Sequence, residues 1–134
     1  MTNIPKSTSG KSASAVARGA ALETGKILKE RFYQRKTITQ KGPRDIVTDV
    51  DKKAQELIYA TLNEEYPEMG FLGEESKGDI PDKGYVWIVD PVDGTRNYAT
   101  QIPAVSLVIG LALDGEVLVG VNYDPLLQEM FHAE

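Results

Sequence analysis

The segment Trp87-Ile88-Val89-Asp90-Pro91-Val92-Asp93-Gly94-Thr95-Arg96-Asn97 combines residue types able to bind a cation and an anion side by side. Its apolar start reads as a buried strand that delivers Asp90 at its carboxyl end, after which Pro91 forces the chain out of the sheet. Asp93 returns a second carboxylate three residues later. Gly94 permits a tight turn, and Thr95 opens a short helix whose first N–H groups have no intrahelical partner. Two hard oxygen ligands beside a helix N-terminus suit magnesium plus a phosphate: the carboxylates hold the ion and the amides hold the phosphoryl oxygens. Taken alone, Asp93 is better read as a helix cap. Capping does not explain a second carboxylate at the end of a buried strand.

Two further acidic stretches join this one. Gly73-Glu74-Glu75-Ser76 follows a short apolar piece, Phe71-Leu72. Adjacent carboxylates repel unless a cation or solvent screens them. Such a motif is more often an exposed loop, but beside Asp90 and Asp93 it supplies the further ligand of a multi-ion site. In Asp45-Ile46-Val47-Thr48-Asp49-Val50-Asp51, Thr48 reads as an N-cap with Asp51 at the capping-box position. A functional reading makes Asp51 an acid standing behind Thr95, and the two readings are compatible. Haloacid-dehalogenase-type phosphatases also place Asp-Gly-Thr after an apolar strand, but their nucleophilic aspartate lies two residues before the second one. Pro91 occupies that position here, which removes the nucleophile.

The elements that position these residues follow from periodicity. From Ala13 to Phe32, apolar residues recur at helical spacing, and the polar residues 1–11 before them read as a flexible tail. Gly10-Lys11-Ser12 lacks the earlier glycine and the preceding strand of a phosphate-binding P-loop. A polar connection with Lys41, Gly42 and Pro43 leads to a second helix from Thr48 to about Tyr66, closed by Pro67. The period then changes. Strands are expected at 85–89, 105–113 and 117–123, the last two joined at Asp114-Gly115, with another from Gln128. This is an α+β fold: two helices packed on one face of an antiparallel sheet, in one domain over 12–134.

Composition narrows the function. The chain has 134 residues and a net charge of -5, with 20 acids against 15 bases. That argues against nucleic-acid or anionic-membrane partners, which require a basic face. The absence of cysteine excludes thiolate metal sites. No apolar run reaches spanning length and no signal-peptide core is present, so a cytoplasmic location is expected. His132 is the lone histidine and reads as a packing or surface residue.

Asp45-Ile-Val-Thr-Asp-Val-Asp51, Gly73-Glu-Glu-Ser76 and Trp87-Ile-Val-Asp-Pro-Val-Asp-Gly-Thr95 resemble, in order and spacing, the motifs of the inositol monophosphatase family. That family is related to fructose-1,6-bisphosphatase and the phosphoadenosine-phosphate phosphatases. The resemblance runs from the first helix to Glu134 and implies the amino-terminal half of a layered sugar-phosphatase fold. It implies a first magnesium on Glu74, Asp90 and the Val92 carbonyl, a second shared by Asp90 and Asp93, and a third, weaker ion helped by Glu74. Thr95, with Glu74 or Asp51, would orient the attacking water. Asp93 and the amides of Gly94 and Thr95 would bind phosphate, and Lys41 resembles the family's lysine ahead of the Asp-x-Val-Thr segment.

Two departures stand out. Arg96 replaces the usual Thr or Ser, and no segment matches the family's second half, which supplies another metal-binding aspartate and most sugar contacts. The expectation is a magnesium-dependent, lithium-sensitive phosphomonoesterase acting on a small phosphate ester, with a homodimer implied. The rivals are a catalytically incomplete fragment or interaction module of the same fold and, behind them, a haloacid-dehalogenase-like phosphatase.

Overall fold

The computed structural model describes residues 3–43, 45–74 and 83–134. In chain order its elements are α1 (Ala13–Arg31), β1 (Ile38–Gly42), β2 (Asp45–Thr48), α2 (Asp49–Glu65), β3 (Gly70–Gly73), β4 (Tyr85–Asp93), α3 (Thr95–Ala99), β5 (Ser106–Leu113), β6 (Glu116–Asp124) and β7 (Glu129–Ala133).

Local chemistry sets the helix boundaries. Ser12 caps α1 by accepting the Ala15 N–H at 3.1 Å, so Gly10-Lys11-Ser12 leads into a helix. At α2, Thr48 and Asp51 close a capping box. The buried stripe of α1 is rich in alanine (Ala13, Ala17, Ala20, Ala21), and that of α2 carries Val50, Ala54, Ile58 and Leu62. Gly25 of α1 lies against the Tyr123 ring of β6, where a β-carbon would collide. Residues 3–11, expected as a flexible tail, lie along the end of α2: the Thr8 N–H donates to the Glu65 carbonyl at 3.0 Å and the Tyr66 hydroxyl to that of Pro5 at 2.8 Å.

The main sheet runs β3-β4-β5-β6-β7. It is mixed rather than purely antiparallel, because β3 pairs parallel to β4. Asp114 and Gly115 turn β5 into β6 with positive φ at both residues, the backbone a two-residue hairpin turn requires. Alternate residues Trp87, Val89, Leu107, Ile109 and Leu111 face the helices and form the core. Each such side chain contributes roughly 1.5–3 kcal/mol on burial. Trp87 is 1% exposed, with its ring 5.9 Å from that of Tyr66.

Two further elements depart from expectation. The connection around Lys41 is a β-hairpin, β1 with β2, standing as a separate two-stranded sheet. Its first strand is exposed at Ile38, Thr39, Gln40 and Lys41, so no buried face imposes a readable alternation. The second departure is at Pro91. Rather than leaving the sheet there, β4 continues to Asp93 through an irregularity, where a missing N–H is tolerated.

Candidate active site

That irregularity shapes the site. Asp90 pairs with Val108 and Asp93 with Ser106, so β4 spends three steps where β5 spends two. Side chains alternate faces along a strand, and residues three apart should oppose one another. The extra residue restores the phase. Both aspartates therefore share a face with Ser106 and Val108, opposite the helix-facing Leu107 and Ile109. Among the described residues Asp90 Oδ1 is buried with no hydrogen-bond partner, while Asp93 is exposed. A buried carboxylate oxygen left unsatisfied is costly unless a cation or donor meets it. Asp90 Oδ1, the Asp93 carboxylate and the Val92 carbonyl are hard oxygen donors, the chemistry that suits magnesium.

Glu74 comes from the neighbouring strand. Gly73 pairs with Val89 in parallel register, so Glu74, exposed in the turn just past β3, follows beside Asp90 of β4. Glu75 and Ser76 of the same motif lie outside the described residues. Among the described residues, no three acidic or histidine side chains converge at metal-ligand spacing.

Thr95 and Asp51 meet directly. The Thr95 hydroxyl lies 2.8 Å from Asp51 Oδ1 and 3.1 Å from the Val92 carbonyl oxygen, two acceptors for one proton. Asp51 is 2% exposed at the start of α2. Gly94 precedes Thr95 with φ of 95°, and a β-carbon there would stand 2.7 Å from the Ala104 carbonyl oxygen. Glycine alone satisfies both conditions. The Asn97 side chain donates to that same carbonyl at 3.0 Å, tying the turn to the strand that follows.

The five-residue α3 is anchored by Tyr98, which is fully buried. Its hydroxyl donates to the Leu28 carbonyl of α1 at 2.9 Å, and its ring lies 5.6 Å from Phe32. Burial pushes the Tyr98 phenol well above its ordinary pKa. The Lys36 ammonium sits 4.7 Å above the same ring, and burial and then nearby Arg31 lower its pKa.

Lys41 is the extra residue of a bulge in β1, where the register jumps between Gln40 and Gly42. Its ammonium stands 3.7 Å from Asp45, on the hairpin whose second strand packs against α3. Arg96 is the second residue of α3, and His132 is exposed in β7. Asp124, unremarked in sequence, lines an open depression of about 440 Å³ with Asp93, Asn97 and Ser106. Its Oδ1 also accepts the N–H groups of Leu126 and Leu127 at 2.9 and 3.0 Å. In the sequence it stands only as an Asp-Pro dipeptide with Pro125, the residue types of a turn.

The family model of the inositol monophosphatase family matches residues 11–134. The chain belongs to that family. Inositol monophosphatase 1 of Solanum lycopersicum is 40% identical over 121 residues, covering 87% of this chain and 44% of its own length. The crystal structure of extragenic suppressor protein suhB from Bartonella henselae superposes with a TM-score of 0.84 at 36% identity, over 90% of this chain and 48% of that one. A structure described as inositol monophosphate-bound SaIMPase-II superposes with a TM-score of 0.73 at 34% identity, over 90% and 43%. The chain thus spans less than half the length of each of these three proteins. The shared fold is an α+β layer with helices on a sheet.

Proposed function

We propose that the protein is a magnesium-dependent, lithium-sensitive phosphomonoesterase that hydrolyses inositol monophosphate or a related sugar or nucleotide phosphate by direct attack of water. The observation that carries this reading is the buried Asp90 Oδ1, which has no hydrogen-bond partner among the described residues, on the same sheet face as Asp93 and shortly before the Gly94-Thr95 turn. The names of the tomato relative and of the ligand-bound structure support inositol phosphate as the first substrate to try.

Glu74, Asp90, Asp93 and the Val92 carbonyl would hold two or three ions. Bound magnesium would polarise the phosphate, make a water more nucleophilic and stabilise the leaving alkoxide. The amides of Gly94 and Thr95, with Asp93, orient the phosphoryl group, and Lys41 adds positive charge on the hairpin side. When the Thr95 hydroxyl donates to Asp51, its lone pairs are left to accept from the incoming water and align it. No residue is required to carry the phosphate covalently. A cytoplasmic homodimer completes the reading. Among the described residues, no helix is long and apolar enough to cross a membrane.

A panel of inositol monophosphates, fructose bisphosphate and phosphoadenosine phosphate, offered to the full-length protein with magnesium and then with lithium, tests this. Phosphate release that lithium inhibits is expected. Silence across the panel overturns the reading.

A second reading, that these 134 residues alone form an incomplete site, is favoured by the lack of three converging ligands among the described residues. Calorimetric titration of the 134-residue chain should then show weak magnesium binding with little turnover. Fast turnover by a monodisperse monomer would sink it.

A further inference from the structure

A third residue stands behind the Asp51–Thr95 pair. Thr48 is fully buried, and both its backbone N–H, at 2.9 Å, and its hydroxyl donate to Asp51 Oδ2. Its oxygen in turn accepts the Asp51 N–H at 3.2 Å. The other carboxylate oxygen, Oδ1, faces the Thr95 hydroxyl. The terminal torsion of an aspartate is a broad, soft rotation. Two donors on one oxygen remove that freedom and set where the other oxygen points. Burial of both residues keeps water from replacing a lost bond.

Starting a helix does not require this arrangement. Ser12 caps α1 with one hydroxyl acceptor, and Ala15 stands where α2 has Asp51. The consequence falls on the single proton of Thr95, which has two acceptors within reach. Held at Asp51, it leaves the Thr95 lone pairs in one direction; turned to the Val92 carbonyl, it leaves them in another.

We propose that Thr48 is a positioning residue: by anchoring Asp51 Oδ2 it commits Oδ1 to Thr95, and so fixes the direction in which the Thr95 hydroxyl meets the attacking water. This rests on the phosphatase reading above.

The test uses the full-length protein. Thr48→Val, which keeps shape and removes the hydroxyl, should lower kcat about tenfold while leaving KM and the magnesium half-saturation unchanged. Thr48→Ser should restore most of the loss. In an Asp51→Asn background, Thr48→Val should lower kcat no further. A second measurement is independent of turnover. Thr48→Val and Thr95→Val should each lower the denaturant midpoint, and together by less than the sum, because both act on Asp51. Additive midpoints, an equal kcat loss with or without the Asp51 carboxylate, or no recovery with serine would each overturn the proposal. If the unmodified protein hydrolyses nothing in the panel, the phosphatase reading fails by itself. The midpoint cycle then decides alone whether Thr48 directs Asp51 at Thr95.

Discussion

Asp90 and Asp93 leave the same face of the sheet although they stand three positions apart, because β4 holds one residue more between them than β5 holds between their partners Val108 and Ser106. Two carboxylates facing one volume gather cations that either alone would hold weakly. Asp90→Asn should therefore cut phosphatase activity about a hundredfold or more while the protein stays folded. Turnover at saturating magnesium, beside circular dichroism of the variant, checks this. Unchanged turnover would remove Asp90 from the site.

The proline between those aspartates bears on mechanism. Pro91 occupies the position at which a haloacid-dehalogenase-type enzyme keeps its nucleophile. A single turnover in oxygen-18 water should place the label in the released phosphate, with no acid-stable phosphoprotein. Trapping a phosphorylated aspartate would overturn direct attack by water.

Gly94 is constrained twice, by its φ of 95° and by the carbonyl of Ala104. Gly94→Ala should cost about 2–4 kcal/mol, the sum of left-handed backbone strain and a displaced neighbour. It should also lower activity, since the turn carries the amides proposed to bind phosphate. Urea unfolding and initial rates measure the two effects. A stable, fully active variant would contradict the geometry.

Tyr98 joins α3 to α1 through a buried hydroxyl. Removing it in Tyr98→Phe should cost about 1 kcal/mol. The pH dependence has a definite sign. Burial raises the folded phenol above its ordinary value of 10.0, so as pH rises past 10 the unfolded chain releases this proton first. The contribution is fully present below 10 and declines as pH rises beyond it. Tyr98→Phe should flatten that alkaline decline while leaving the part due to Tyr66, which burial also raises. Identical slopes in chemical denaturation from pH 9 to 11 would refute the assignment.

Legibility in the sequence follows the burial pattern. Both long helices and the core strands bury one face or two, so Val16, Ile58, Trp87 and Ile109 recur at telling intervals. The β1–β2 hairpin buries little along its first strand, and Thr39, Gln40 and Lys41 look like any polar link. Phe71-Leu72 is too short to declare its direction, so the parallel pairing of β3 went unread. The ingredients of the site, Glu74, Asp90, Asp93, Gly94 and Thr95, were visible as residue types at a spacing. Their geometry was not. The common face of the two aspartates depends on how far β5 advances beside them, and the part played by Thr48 on which oxygen of Asp51 it holds.

Trp87 gives the fold an optical reporter of its own. It is the single tryptophan of this chain, sealed between the sheet and Tyr66 three residues ahead of Asp90. Its emission should be blue-shifted in the native state and move to the red when α2 separates from β4. Ultraviolet excitation of unlabelled chain would then follow that separation in real time, with the fluorophore on the same strand as the proposed ligands Asp90 and Asp93.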